Sequence, residues 1–151
     1  FKNNILITLN PFLIIDSRFE IEEFDSQLFE NLNFIKLLEK KDILKKINSK
    51  NEINFNSKKL TTNLIDNFNL KIDTTYGRIN YIKKFSFSEN FFQCKGNINL
   101  LEEYPLLFFD CYIKAKNKKK IFNFFSIKTK EKNKTLELNA IGSLNILSQK
   151  K

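Results

Sequence analysis

Between Gln93 and Lys116 apolar and polar residues alternate with a period of two, and a chain so patterned gathers its oily groups on one side only as a β-strand. Cys94, Gly96, Ile98 and Leu100 share one parity, while Gln93, Lys95, Asn97 and Asn99 share the other. Beyond Glu102-Glu103-Tyr104-Pro105 the alternation resumes with Leu107, Phe109, Cys111, Ile113 and Ala115. A hairpin centred between Glu102 and Glu103 sets Ile98 opposite Leu107, Gly96 opposite Phe109 and Cys94 opposite Cys111, all on one face. A large ring over an in-strand glycine restores lost packing, so Phe109 is expected to lie over Gly96.

The same rhythm runs through much of the chain. Leu136, Leu138, Ala140, Gly142, Leu144 and Ile146 share a parity, and Gly142-Ser143-Leu144-Asn145-Ile146 matches Gly96-Asn97-Ile98-Asn99-Leu100 in type. Phe85-Ser86-Phe87 and Phe125-Ser126-Ile127 precede the two copies, which points to an internal repeat. Leu64, Phe68, Leu70 and Ile72 lead into a turn at Thr74-Thr75-Tyr76-Gly77, and Ile79, Tyr81, Phe85 and Phe87 lead out of it. Centred between Thr75 and Tyr76, that hairpin pairs Ile72 with Ile79 and Leu70 with Tyr81, with Gly77 supplying a left-handed residue. Ile53 and Phe55 alternate with asparagines. Nearer the start, Pro11 separates the apolar runs Ile5–Leu9 and Phe12–Ile15, and Arg18–Phe24 alternates again.

One stretch breaks the period. Asp25 or Ser26 is a suitable helix cap for Phe29, Leu32, Ile35 and Leu38, and Asp42 precedes Ile43, Leu44 and Ile47. Residues 27–47 therefore read as a helical insert that caps a sheet. The expected fold is mainly β (α+β): a curved or groove-forming antiparallel sheet of about eight strands, with strands and the insert in 1–50 and antiparallel hairpins in 51–151.

With 42% hydrophobic residues, 17 of the chain being Phe, there is material for a core. The apolar run 5–15 is broken by Asn10 and Pro11 and is too short for a transmembrane helix. No Met occurs, so Phe1 reads as a start within a longer reading frame, and residues 1–151 read as one segment of a longer β-repeat protein. The net charge of +9 fits an anionic partner, but the densest basic run, Lys114–Lys120, is short and reads as a solvated link between strands. A nucleic-acid-binding domain would rest on net charge alone, and none is expected.

Catalysis finds little to work with. There is no His, which removes the usual nucleophile–base pairs and the commonest metal ligand. The two cysteines cannot complete a structural zinc site, and the three glycines are isolated. Glu22-Glu23 and Glu102-Glu103 point to opposite sides of a strand. The expectation is no enzyme, no catalytic residue, no metal and no cofactor. Cys94 and Cys111 face each other in the expected register. They are either a disulfide of an oxidising compartment or two small thiols filling an apolar face, and the reading favours thiols because direct cross-strand bridges are awkward.

A sheet with one continuous apolar face must cover it. A second sheet or the helical insert would make an ordinary core, and curling of the sheet would make a groove able to hold acyl chains. The run Phe91–Leu100, the Glu102–Pro105 turn and the stretch Leu136–Ile146 resemble the C-terminal regions of AsmA-like proteins from AT-rich alphaproteobacteria. The likeness covers about residues 50–147, including the Lys-rich link at 116–124.

That resemblance implies a repeating β-groove of the AsmA/TamB type. It implies a periplasmic segment, anchored to the inner membrane from outside this stretch, that serves envelope lipid transport or outer-membrane assembly. Its expected partners are a phospholipid or other acyl lipid and the rest of its own chain at both ends. Mapped onto the apolar parity, the lipid-facing residues would be Leu70, Ile72, Ile79, Tyr81, Ile98, Leu107, Phe109, Ile113, Leu138 and Leu144. The alternative is a structural or protein-interaction β-domain with a closed apolar core.

Overall fold

The computed structural model describes residues 2–9, 13–22, 40–57, 65–124, 128 and 135–146. Among these residues eight strands form one open sheet: β1 (Lys2–Thr8), β2 (Ile14–Ile21), β3 (Asn48–Asn56), β4 (Asn67–Thr75), β5 (Arg78–Phe87), β6 (Asn90–Asn99), β7 (Leu106–Ala115) and β8 (Leu136–Asn145). Their order across the sheet is their order in the sequence. A short helix, α1 (Lys41–Leu44), precedes β3, and a second, α2 (Lys118–Phe124), follows β7. Among the described residues, no helix is long and apolar enough to cross a membrane.

Every neighbouring pair is antiparallel except β2 and β3, which run parallel. The sheet is thus mainly antiparallel, as expected, with this one parallel joint. Parallel neighbours cannot share a tight turn, and here the connection between Ile21 and Asn48 includes α1. Of the expected insert at 27–47, residues 27–39 lie outside the described residues, and the described helix is the single turn 41–44. Strand β3 begins at Asn48, three residues before the alternation becomes visible at Asn51. Pro11, Leu64 and Phe125-Ser126-Ile127 also lie outside the described residues.

The β6–β7 hairpin has the expected register: Ile98 opposite Leu107, Gly96 opposite Phe109, Cys94 opposite Cys111. The β4–β5 hairpin does not. Thr75 pairs with Arg78, Ile72 with Tyr81 and Leu70 with Lys83, so the centre lies one residue later, between Tyr76 and Gly77. Both turn residues have positive φ (46° and 85°), the conformation in which a two-residue loop follows the twist of its strands. The expected left-handed Gly77 is present. The β5–β6 turn has the same form, built from Ser88 and Glu89 (φ 45° and 66°) without any glycine.

The Lys-rich link after β7 is partly helical. Helix α2 buries Ile121 against Phe87, Phe92 and Ala115, with Phe85, Ile113 and Leu136 packed around them. At the opposite strand ends Ile79, Ile98, Leu100 and Ile146 form a second cluster, joined by Leu44 of α1. A third gathers Phe55, Phe68 and Leu70 with Ile21 and Ile53. The repeated sequence has a structural counterpart. Leu100 N–H donates to Gly77 O (2.8 Å) and Ile146 N–H to Pro105 O (3.4 Å), so each copy ends by closing the turn of the preceding hairpin and entering the same cluster.

Candidate functional site, an apolar sheet face with one cation

Register places all ten expected lipid-facing residues on one face. They divide by position. Ile79 and Ile98 (6% and 3% exposed) are core, Leu70 is buried at 9%, and Ile72, Tyr81, Leu107, Phe109 and Ile113 are half-buried. Leu138 and Leu144, on edge strand β8, stay 47% and 45% exposed. At the other edge Ile5 and Ile7 of β1, on the same face, are 52% and 57% exposed. Burial is therefore deepest along the middle strands and at their ends, and the apolar surface runs out to both sides of the sheet.

Residues paired across strands form rows on this face. One reads Thr74, Ile79, Ile98, Leu107, Leu144; another, Phe68, Phe85, Phe92, Ile113, Leu138. Phe85 and Phe92 stack with centroids 4.5 Å apart. Between these bulky rows run two others. In Ile72, Tyr81, Gly96, Phe109, Gly142, large and absent side chains alternate from Tyr81 onward; in Leu70, Lys83, Cys94, Cys111, Ala140 the last three are small.

The glycines work differently from expectation. Tyr81 covers Gly96, where a methyl group would stand 2.7 Å from Tyr81 Cε1 and collide with the Phe108 carbonyl. Phe109 instead covers Gly142, its Cζ 2.7 Å from where a methyl group would be. Each ring reaches one strand further along the sheet.

Cys94 and Cys111 form a disulfide, with Cα atoms 4.0 Å apart, and not the two thiols favoured from sequence. Directly opposed residues approach this closely in the narrow pairs of an antiparallel ladder, which brings the sulfurs within bonding reach.

Lys83 is a member of this face that apolar alternation alone does not single out. It falls on the apolar parity between Tyr81 and Phe85, opposite Leu70 on one side and Cys94 on the other. On this face of the eight strands it is the one charged side chain. Its Nζ lies 5.6 Å from the centre of the Phe85 ring and 6.0 Å from that of Phe68, within range of a cation–π attraction. Lys83 is exposed, and partial desolvation by these apolar neighbours lowers its pKa. Burial likewise raises the pKa of Tyr81. The readable signal was a lysine holding an apolar slot in Ile79-x-Tyr81-x-Lys83-x-Phe85-x-Phe87.

The opposite face carries the other charges, and several are paired across strands. Glu52 Oε2 meets Arg18 at 3.3 Å and Glu52 Oε1 meets Lys71 at 3.4 Å. Lys95 pairs with Asp110 (3.1 Å) and Lys114 with Glu137 (3.0 Å). Asn69 Nδ2 donates to Glu52 Oε1 (3.0 Å). Burial pushes the Glu52 carboxyl up, but hydrogen bonds from Asn54 and Asn69 and the charges of Lys71 and Arg18 outweigh it and hold the pKa low.

Two open depressions, of about 710 and 500 Å³, are lined mainly from this polar side. Residues such as Asn54, Asn69 and Lys84 line the first, and Arg18, Glu52 and Lys71 the second. None of the ten expected groove residues lines either one. The first also takes in Ile21, Phe55, Phe68 and Phe85 of the apolar side. No family model matches the chain, and neither a curated protein nor a solved structure matches it significantly.

Proposed function

We propose that this chain is a non-catalytic β-groove segment of an AsmA-like envelope protein, whose apolar face contacts the acyl chains of lipids in transit. The observation that carries this reading is the form of that face. It is bounded at both strand ends by buried clusters, one with α1 and one with α2, and it stays apolar and exposed at both lateral edges. A lipid tail lying across the strands would bury this area, worth about 25 cal/mol per Å², and further strands of the parent chain at either edge would prolong the path. The disulfide fits a periplasmic setting, where such bonds persist. Inner-membrane anchoring through another part of the parent, and a role in lipid transport or outer-membrane assembly, belong to the same proposal.

The three buried clusters favour a second reading, a structural or protein-interaction β-domain with a closed core. Native mass spectrometry of the chain purified from a bacterial periplasm separates the two. Adducts with the masses of acyl lipids are expected. A bare chain that also takes up no lipid from vesicles would leave the interaction domain as the answer.

A further inference from the structure

We infer that Lys83 is a headgroup anchor, and that the ligand preferred by the apolar face is an acyl lipid with one negative charge, a long-chain carboxylate. This rests on the acyl-contact reading above and specifies its ligand. A charged group on a surface that buries apolar area costs free energy unless it meets a counter-charge. The eight strands put their other charged side chains on the polar face, so the position of Lys83 is not a by-product of a lysine-rich composition. Lys83 is exposed there, so its ammonium is open to a ligand.

The neighbours of Lys83 on this face supply no carboxylate. Across β4 stands Leu70, across β6 the half-cystine Cys94, and along β5 Tyr81 and Phe85. No acidic residue among those described lies within ion-pair distance of its Nζ, while the two phenyl rings flank it. A single ammonium matches a monoanion, and a phosphomonoester would call for further donors. The tail has somewhere to go, since the row that begins beside Lys83 continues over Cys94, Cys111 and Ala140 to the β8 edge. That path spans three inter-strand steps, about 14 Å.

The test uses the full chain with cis-parinaric acid, a fluorescent long-chain carboxylate, and with its methyl ester, which has the same tail and no charge. At neutral pH the acid is expected to bind about tenfold more tightly than the ester, the scale of one charge-assisted hydrogen bond. Lys83→Met should reduce that ratio to near one by weakening the acid alone, and Lys83→Arg should keep it. Lys84→Met, on the polar face, should also keep it. Equal binding of acid and ester by the unaltered chain, or an unchanged ratio in Lys83→Met, overturns the anchor and leaves acyl contact standing. Failure of both probes to bind overturns the acyl-contact reading itself, and the anchor with it.

Discussion

Gly96 and Gly142 occupy matching places in the repeat, yet their replacement should not cost the same. A methyl at Gly96 meets the backbone carbonyl of Phe108, which cannot move without parting β6 from β7. At Gly142 it meets the far end of the Phe109 ring, which can swing aside. Gly96→Ala should therefore destabilise by about 2–3 kcal/mol and Gly142→Ala by about 1 kcal/mol, read from chemical denaturation. Among the described carboxylates, Glu52 is the one whose pKa is clearly lowered. Its carboxyl titrates lower folded than unfolded, so its contribution is full above the ordinary glutamate pKa and is lost as the pH falls through the lowered folded value. Glu52→Gln should cost about 0.5–1 kcal/mol at neutral pH, and should flatten the acid limb of a stability–pH curve. An equally steep limb in the variant would clear Glu52 of that role.

Among the elements, the β6–β7 hairpin shows how much a strand pattern can tell. Alternation gave the faces of residues 93–99 and 106–115, and the Glu102–Pro105 loop gave the register. At β4–β5 the face was legible but the register was not. Pairing Ile72 with Ile79 or with Tyr81 keeps the same residues on the same side, and only the backbone twist at Tyr76-Gly77 chooses between them. Helix α2 was hidden because Ile121, its core residue among those whose side chains are described, follows three lysines. Lys83 was hidden because counting apolar positions passes over the polar exception among them. The disulfide closes a loop of 17 residues, so opening it should cost about 3 kcal/mol in the chain-entropy account. Cys94→Ala/Cys111→Ala should be less stable than the oxidised chain by that much in chemical denaturation, and alkylation without reductant should label neither cysteine of the native protein.

At the scale of the whole molecule, the two edges of the sheet are the exposed flank. Strand β1 is exposed along its full length, with Ile5, Leu6 and Ile7 each more than half open to solvent, and an apolar edge with no second strand partner among the described residues invites another strand. The 151-residue chain studied alone is expected to self-associate with concentration in sedimentation velocity. Ile7→Lys, which places a charge on that edge, should shift it toward monomer. A monomer at all concentrations would mean that the edge is already blunted.

From β3 to β8 every strand lies beside the one made just before it, and none is inserted between two earlier strands. A sheet assembled in this way works as a ruler. One more hairpin at the β8 side would lengthen it by about 9.6 Å while leaving every existing neighbour in place. The distance spanned by such a protein can then change by duplication of hairpins alone, and how far it reaches becomes a matter of arithmetic on its strands.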